Sequence, residues 1–87
     1  MPQVALITGG ARGIGWETVK LLLKHNVKVV SVDLVEHKEP PSQTFFPIQG
    51  DITSEKNISD VLLQTINTFG TIDILVNNAG VIGQMSK

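Results

Sequence analysis

The sequence predicts an α/β fold in which a parallel sheet is wound on both faces by helices, and three observations carry that prediction. Short β-branched runs alternate with segments of helical periodicity, so the elements run β-α-β-β-α-β. The first strand run, Val4 to Ile7, is continuously apolar rather than alternating, as expected of a parallel strand covered on both sides. Glycines at 9, 13 and 15 stand between that run and the first helical segment, where a chain must leave a strand and start a helix within a few residues.

Gln3–Thr8 reads as the first strand and Gly13–His25 as the first helix, with Ile14, Val19, Leu22 and Leu23 as its apolar face. Lys20, Lys24 and His25 come late in that helix, where cations suit its negative end, and Asn26 is placed for a left-handed stop. Val27–Asp33 reads as a second strand that ends in a carboxylate. Strand, helix and strand form one unit of about the usual 30 residues, and the right-handed crossover of such units makes the two strands parallel.

Residues 34–43 carry charges and Pro40-Pro41 without periodicity and read as a surface connection. Thr44–Gln49 reads as a third strand. Pro47 within it has no N–H to give a ladder, which assigns this strand to a sheet edge. After the turn Gly50 to Thr53, either Thr53 or Ser54 is placed to cap a second helix. Ile58, Val61, Leu62, Ile66 and Phe69 give that helix its apolar rhythm, and Gly70 ends it. Ile72–Val76 reads as the fourth strand, followed by Asn77-Asn78-Ala79-Gly80 and a short tail from Val81. An edge third strand gives the order 3-2-1-4, half of a doubly wound, Rossmann-like sheet. The chain is one partial domain, with its core over residues 3–80.

Ligands of such sheets lie beyond the strand carboxyl ends, where the order reverses, and the residues at those ends are chemically apt. The glycine turn lets an anionic diphosphate approach the backbone, and the unpaired N–H groups of the first helical turn attract it. Asp33 is placed to accept hydrogen bonds from ribose hydroxyls, and its charge repels a 2′-phosphate. That selects NAD over NADP, against the opposing indication of Arg12, a cation in the same turn.

Composition closes off other classes. The 87 residues have a net charge of -1 and therefore no field to gather nucleic acid or anionic lipid. There is no cysteine, which removes thiolate metal sites and thiol nucleophiles, and two separated histidines do not make a metal site. His25 and His37 are both expected to be exposed rather than catalytic. No apolar run approaches the ~20 residues that cross a bilayer. With no signal-like segment after Met1, a cytoplasmic address is the default expectation.

Thr8-Gly9-Gly10-Ala11-Arg12-Gly13-Ile14-Gly15 resembles the Thr-Gly-x-x-x-Gly-x-Gly signature of the short-chain dehydrogenases/reductases, and Asn77-Asn78-Ala79-Gly80 is similar to their Asn-Asn-Ala-Gly signature. The resemblance runs from Val4 to Gly80. It implies an NAD(P)-dependent oxidoreductase acting on alcohols or carbonyls. The implied cofactor residues are Gly9, Arg12, Gly13, Ile14 and Gly15 in the turn, Asp33 at the ribose, Asp51 and Ile52 at the adenine, and Asn78, Ala79 and Gly80 at the fourth strand. Catalysis in that family resembles acid–base chemistry by a serine with a Tyr-x-x-x-Lys pair. This sequence contains no tyrosine, no catalytic residue is assigned, and the 87 residues alone are expected to be inactive. Two other readings stay open: a non-catalytic nucleotide-binding module that pairs with itself or a partner chain through the fourth strand, and a degenerate fragment.

Overall fold

The computed structural model describes residues 2–78. Its elements are β1 (Val4–Thr8), α1 (Gly13–Lys24), β2 (Lys28–Asp33), β3 (Phe45–Gln49), α2 (Glu55–Phe69) and β4 (Ile74–Asn77). They form one parallel sheet of order β3-β2-β1-β4. Ala79 and Gly80, assigned above to the cofactor, lie outside the described residues, as does the tail.

Alternation along the strands sends side chains to two cores, one on each face of the sheet. Ile7, Val29 and Phe45 face one way and meet Val19 of α1, flanked by Trp16, Leu22 and Leu23. Leu6, Val30 and Val32 face the other way and meet Val61 of α2, flanked by Phe46, Ile52 and Phe69. β1 is buried along its whole length, which is why its sequence shows no alternation. Pro47 sits on edge strand β3 opposite Ser31, where its missing N–H leaves no inner ladder unpaired.

The helix ends follow their end residues. Asn26 takes φ 66 just past α1, and Gly70 takes φ 89 while its N–H reaches the Ile66 carbonyl. Of the two candidate caps for α2, Ser54 is the one whose side chain accepts the Asn57 N–H; Thr53 is engaged with Asp51 instead. The fourth strand starts two residues later than its apolar run indicates. Asp73 exchanges backbone and side-chain bonds with Val4, its N–H donating to the Val4 carbonyl and its carboxylate accepting the Val4 N–H.

Both apolar faces read from the sequence are corrected in part. Ile14 is 79% exposed, because it lies five helical positions from buried Val19 and so about 140° around the axis. On α2 the buried stripe is Val61 and Thr65, with Phe69 half-buried. Ile58, Leu62 and Ile66 form the neighbouring stripe, each more than 40% exposed. Thr65 takes a core position by donating its hydroxyl to the Val61 carbonyl at 2.8 Å.

Candidate functional site

The carboxyl ends of β1, β2 and β4 meet at one rim, and the residues there are bound to one another across the chain. Gly9 leaves β1 at φ 73 while its N–H donates to the Val32 carbonyl at 2.7 Å, so the turn is fastened to the neighbouring strand. Gly13 opens α1 at φ 62, and the space where its Cβ would stand is empty to 4 Å. Both positions need the left-handed backbone that glycine adopts without cost. Gly15 serves contact instead. A Cβ there would lie 1.9 Å from the Gly9 carbonyl oxygen and 2.6 Å from Asn78 Nδ2.

Arg12 occupies the N-cap of α1 with extended backbone, and no side chain caps the helix. The first amides of α1 therefore face outward without a side-chain acceptor, at the positive end of the helix dipole. Ile14 contributes its backbone to this turn and presents its side chain to solvent beside Gly13, Glu17 and Leu21.

Asp33 is more closely built into the rim than its position at a strand end implies. One carboxylate oxygen accepts the Ala11 N–H at 3.0 Å and the other accepts the Val35 N–H at 3.2 Å. A carboxylate oxygen takes two hydrogen bonds, so each retains one lone pair for an outside donor. The clamp fixes a negative charge against the glycine turn.

On the other flank, the Thr8 hydroxyl donates to Asn77 Oδ1 at 2.9 Å and accepts the Asn78 N–H at 3.1 Å. Asn78 Nδ2 donates to the Gly9 carbonyl at 3.1 Å. These bonds join β4 to the turn after β1. Asp51 is exposed, and one of its oxygens accepts both the N–H and the hydroxyl of Thr53. Those bonds hold its carboxyl below the usual range. Asp51 thus shapes its own turn and leaves its second oxygen to solvent. Ile52 is half-buried and lines an apolar groove of about 250 Å³ with Leu62, Leu75 and Asn77.

The sequence reading missed two features of the rim. Gly10 has no positive φ, but a Cβ there would fall 2.0 Å from the Ser31 hydroxyl, which would have to turn away. His37, expected to be exposed, is half-buried: its Nε2 lies 2.7 Å from Ser31 Oγ, and its ring meets Phe45 edge-on. The pair is six positions apart, from the middle of β2 into the irregular connection, and no periodic pattern reports such a contact.

Burial pushes the His37 imidazole below its ordinary value of 6.5, opposed in part by the charge of Asp33. In the interval between the two values the unfolded chain binds a proton that the folded chain does not, so stability rises with pH there. Acidification from pH 7 to 5 is expected to lower the urea midpoint. The His37→Gln chain should show a shallower fall over that interval; equal slopes would remove the assignment.

Among the described residues no helix is long and apolar enough to cross a membrane. The family model described as short chain dehydrogenase matches residues 3–87. A xanthoxin dehydrogenase of Arabidopsis thaliana is 43% identical over 91 residues, which cover 93% of this chain and 32% of that protein. An NAD(+) 15-hydroxyprostaglandin dehydrogenase of Rattus norvegicus is 39% identical, with 91% of this chain and 34% of that protein covered. A solved short chain dehydrogenase from Leptospira borgpetersenii with bound NAD+ has a TM-score of 0.80 at 35% identity, covering 93% of this chain and 32% of that one. The chain spans about a third of the length of these relatives. The strand order, the glycine turn and the family match agree, and the chain belongs to the short chain dehydrogenase family.

Proposed function

We propose that these 87 residues form the nucleotide-binding part of an NAD-dependent oxidoreductase that interconverts an alcohol and a carbonyl. The observation that carries this reading is the Asp33 carboxylate clamped to the Ala11 amide beside an uncapped helix start. An anion acceptor and a sugar acceptor are thereby set side by side, as a ribose joined to a diphosphate requires. The turn from Gly9 to Gly15, with the backbone of Ile14, holds the diphosphate. Asp33 holds the adenosine ribose, Arg12 borders it, and Asp51 and Ile52 hold the adenine. Asn78 closes the β4 side, and the resemblance extends the cofactor contact to Ala79 and Gly80. The bound dinucleotide supplies hydride transfer. The sequence has no tyrosine, so the proton transfer that the resemblance gives to a tyrosine has no candidate in it, and the 87-residue chain by itself is expected not to turn over alcohol.

Titration of NADH against Trp16 fluorescence tests the proposal, since Trp16 packs at the start of α1 with its ring 5.8 Å from Phe45. Saturable quenching and a raised melting midpoint are expected, because a ligand that binds the folded state alone stabilises it. Absence of both with folded chain would overturn the reading.

The other reading, association through β4, draws on Leu75, which is 67% exposed on a strand that is an edge among the described residues. Sedimentation equilibrium decides it: concentration-dependent dimer that Leu75→Lys abolishes would support it, and a monomer at all concentrations would remove it.

A further inference from the structure

Ser31 stands in the middle of β2 with no exposed surface, and a hydroxyl buried that deeply needs a partner. Its partner is His37 Nε2 at 2.7 Å. The imidazole is held a second time, edge-on to the Phe45 ring with 6.0 Å between centroids. Ser31 also lies directly under the glycine turn, close enough that a Cβ on Gly10 would displace its hydroxyl. One buried oxygen thus touches the turn from below and ties down the connection that follows β2. Together with Ala11, Trp16, Lys38 and Glu39, His37 walls an open cavity of about 320 Å³. Ala11 in that wall is the residue whose amide Asp33 holds.

A serine, a histidine and an aspartate in proximity invite a nucleophilic reading, which the geometry excludes. The Ser31 oxygen has no path to a substrate, and the Asp33 oxygens are bound to the amides of Ala11 and Val35.

We propose that His37 is a positioning residue for the adenosine end of the nucleotide site. It acts through Ser31 to hold Lys38 and Glu39 in the cavity wall they share with Ala11 before ligand arrives. This deepens the nucleotide-binding reading and rests on it. Without the Ser31 bond, the segment around residues 35–40 loses the anchor at its centre. Nucleotide must then order that segment as it binds, and affinity falls by the free energy of the ordering.

Calorimetric titration of the 87-residue chain with NADH tests this in the native form and in the His37→Ala, Ser31→Ala, double and His37→Gln variants. Each alanine variant is expected to weaken binding about tenfold, and the double variant no further than His37→Ala alone, because the Ser31 bond is already lost there. His37→Gln is expected within about threefold of the native chain, since a glutamine amide is able to replace Nε2 as partner of Ser31 Oγ. Trp16 emission without nucleotide should shift to the red in the alanine variants and not in His37→Gln. Native-like affinity in His37→Ala, additive losses in the double variant, or a glutamine variant as weak as alanine would each overturn the proposal. Should His37→Ala not fold, Ser31→Ala and His37→Gln carry the same comparison. A native chain that binds no NADH sinks the nucleotide reading itself, whereas a native chain that binds and an alanine variant that matches it sink the positioning role alone.

Discussion

Gly15→Ala is expected to lose most nucleotide affinity and a large part of the chain's stability together. The added methyl would stand 1.9 Å from the Gly9 carbonyl oxygen, a backbone atom that cannot swing aside, and 2.6 Å from Asn78 Nδ2. Relief requires α1 to move off β1 or the Asn78 bond to Gly9 to break. Either change pulls the helix start away from the rim. Overpacking of this kind costs about 1–3 kcal/mol, which in a domain of this size lowers the melting midpoint by roughly 5–20 °C. Gly13→Asn is the contrasting variant. Nothing stands within 4 Å of its Cβ, and asparagine tolerates its φ of 62. Its side chain instead projects into the open space over the first turn of α1, where the diphosphate is proposed to lie. NADH affinity should fall there by at least about tenfold with little change in the midpoint. Thermal melts and NADH titrations of both variants check the pair. Equal loss of affinity and stability in Gly13→Asn, or a Gly15→Ala chain that melts and binds like the native one, would contradict this division of labour.

The parts of the molecule that rest on periodicity and on backbone-restricted residues were readable from the chain alone. Pro47 assigned β3 to an edge, Asn26 and Gly70 ended the helices, and the unbroken apolar run of β1 marked it as central. What could not be read depends on which element a side chain meets. Ser31 looks like an ordinary small residue in a strand, and His37 like one more polar residue in an irregular connection, until the sheet brings one under the other. Gly10 has an unexceptional backbone, and what crowds a Cβ there is the hydroxyl beneath it. Asp33 was legible as a carboxylate at the right strand end, but not as one already bound to two amides. The apolar rhythm of α2 marks two adjoining stripes, and only the fold tells which of them the described sheet covers: Val61 is buried, while Leu62, one residue on, is 42% exposed. Periodicity reports that a surface is apolar and leaves open what lies against it.

Asp33→Asn is expected to reduce the preference for NADH over NADPH chiefly by weakening NADH. In the proposed site the carboxylate accepts from the ribose hydroxyls with the lone pairs that the Ala11 and Val35 amides leave over, and hydrogen bonds to a charged group contribute about 1.5–3 kcal/mol. Losing the charge while keeping one acceptor oxygen should therefore weaken NADH by roughly tenfold or more. Asparagine is a better test than alanine, because its oxygen can still accept from Ala11, and only the Val35 bond is given up to an amide nitrogen that cannot accept. NADPH has the opposite dependence. A 2′-phosphate beside Asp33 meets a fixed negative charge held against the glycine turn, and removal of that charge relieves the repulsion while Arg12 remains nearby as a cation. NADPH affinity should hold or rise. The ratio of the two dissociation constants, measured by Trp16 fluorescence at one ionic strength, reads the effect directly, and added salt should shrink the NADPH response more than the NADH response, since repulsion between exposed charges is screened. Equal affinity of the native chain for both nucleotides would remove Asp33 as the selecting residue. An unchanged ratio in Asp33→Asn would place the selection elsewhere, with Arg12 as the next residue to replace.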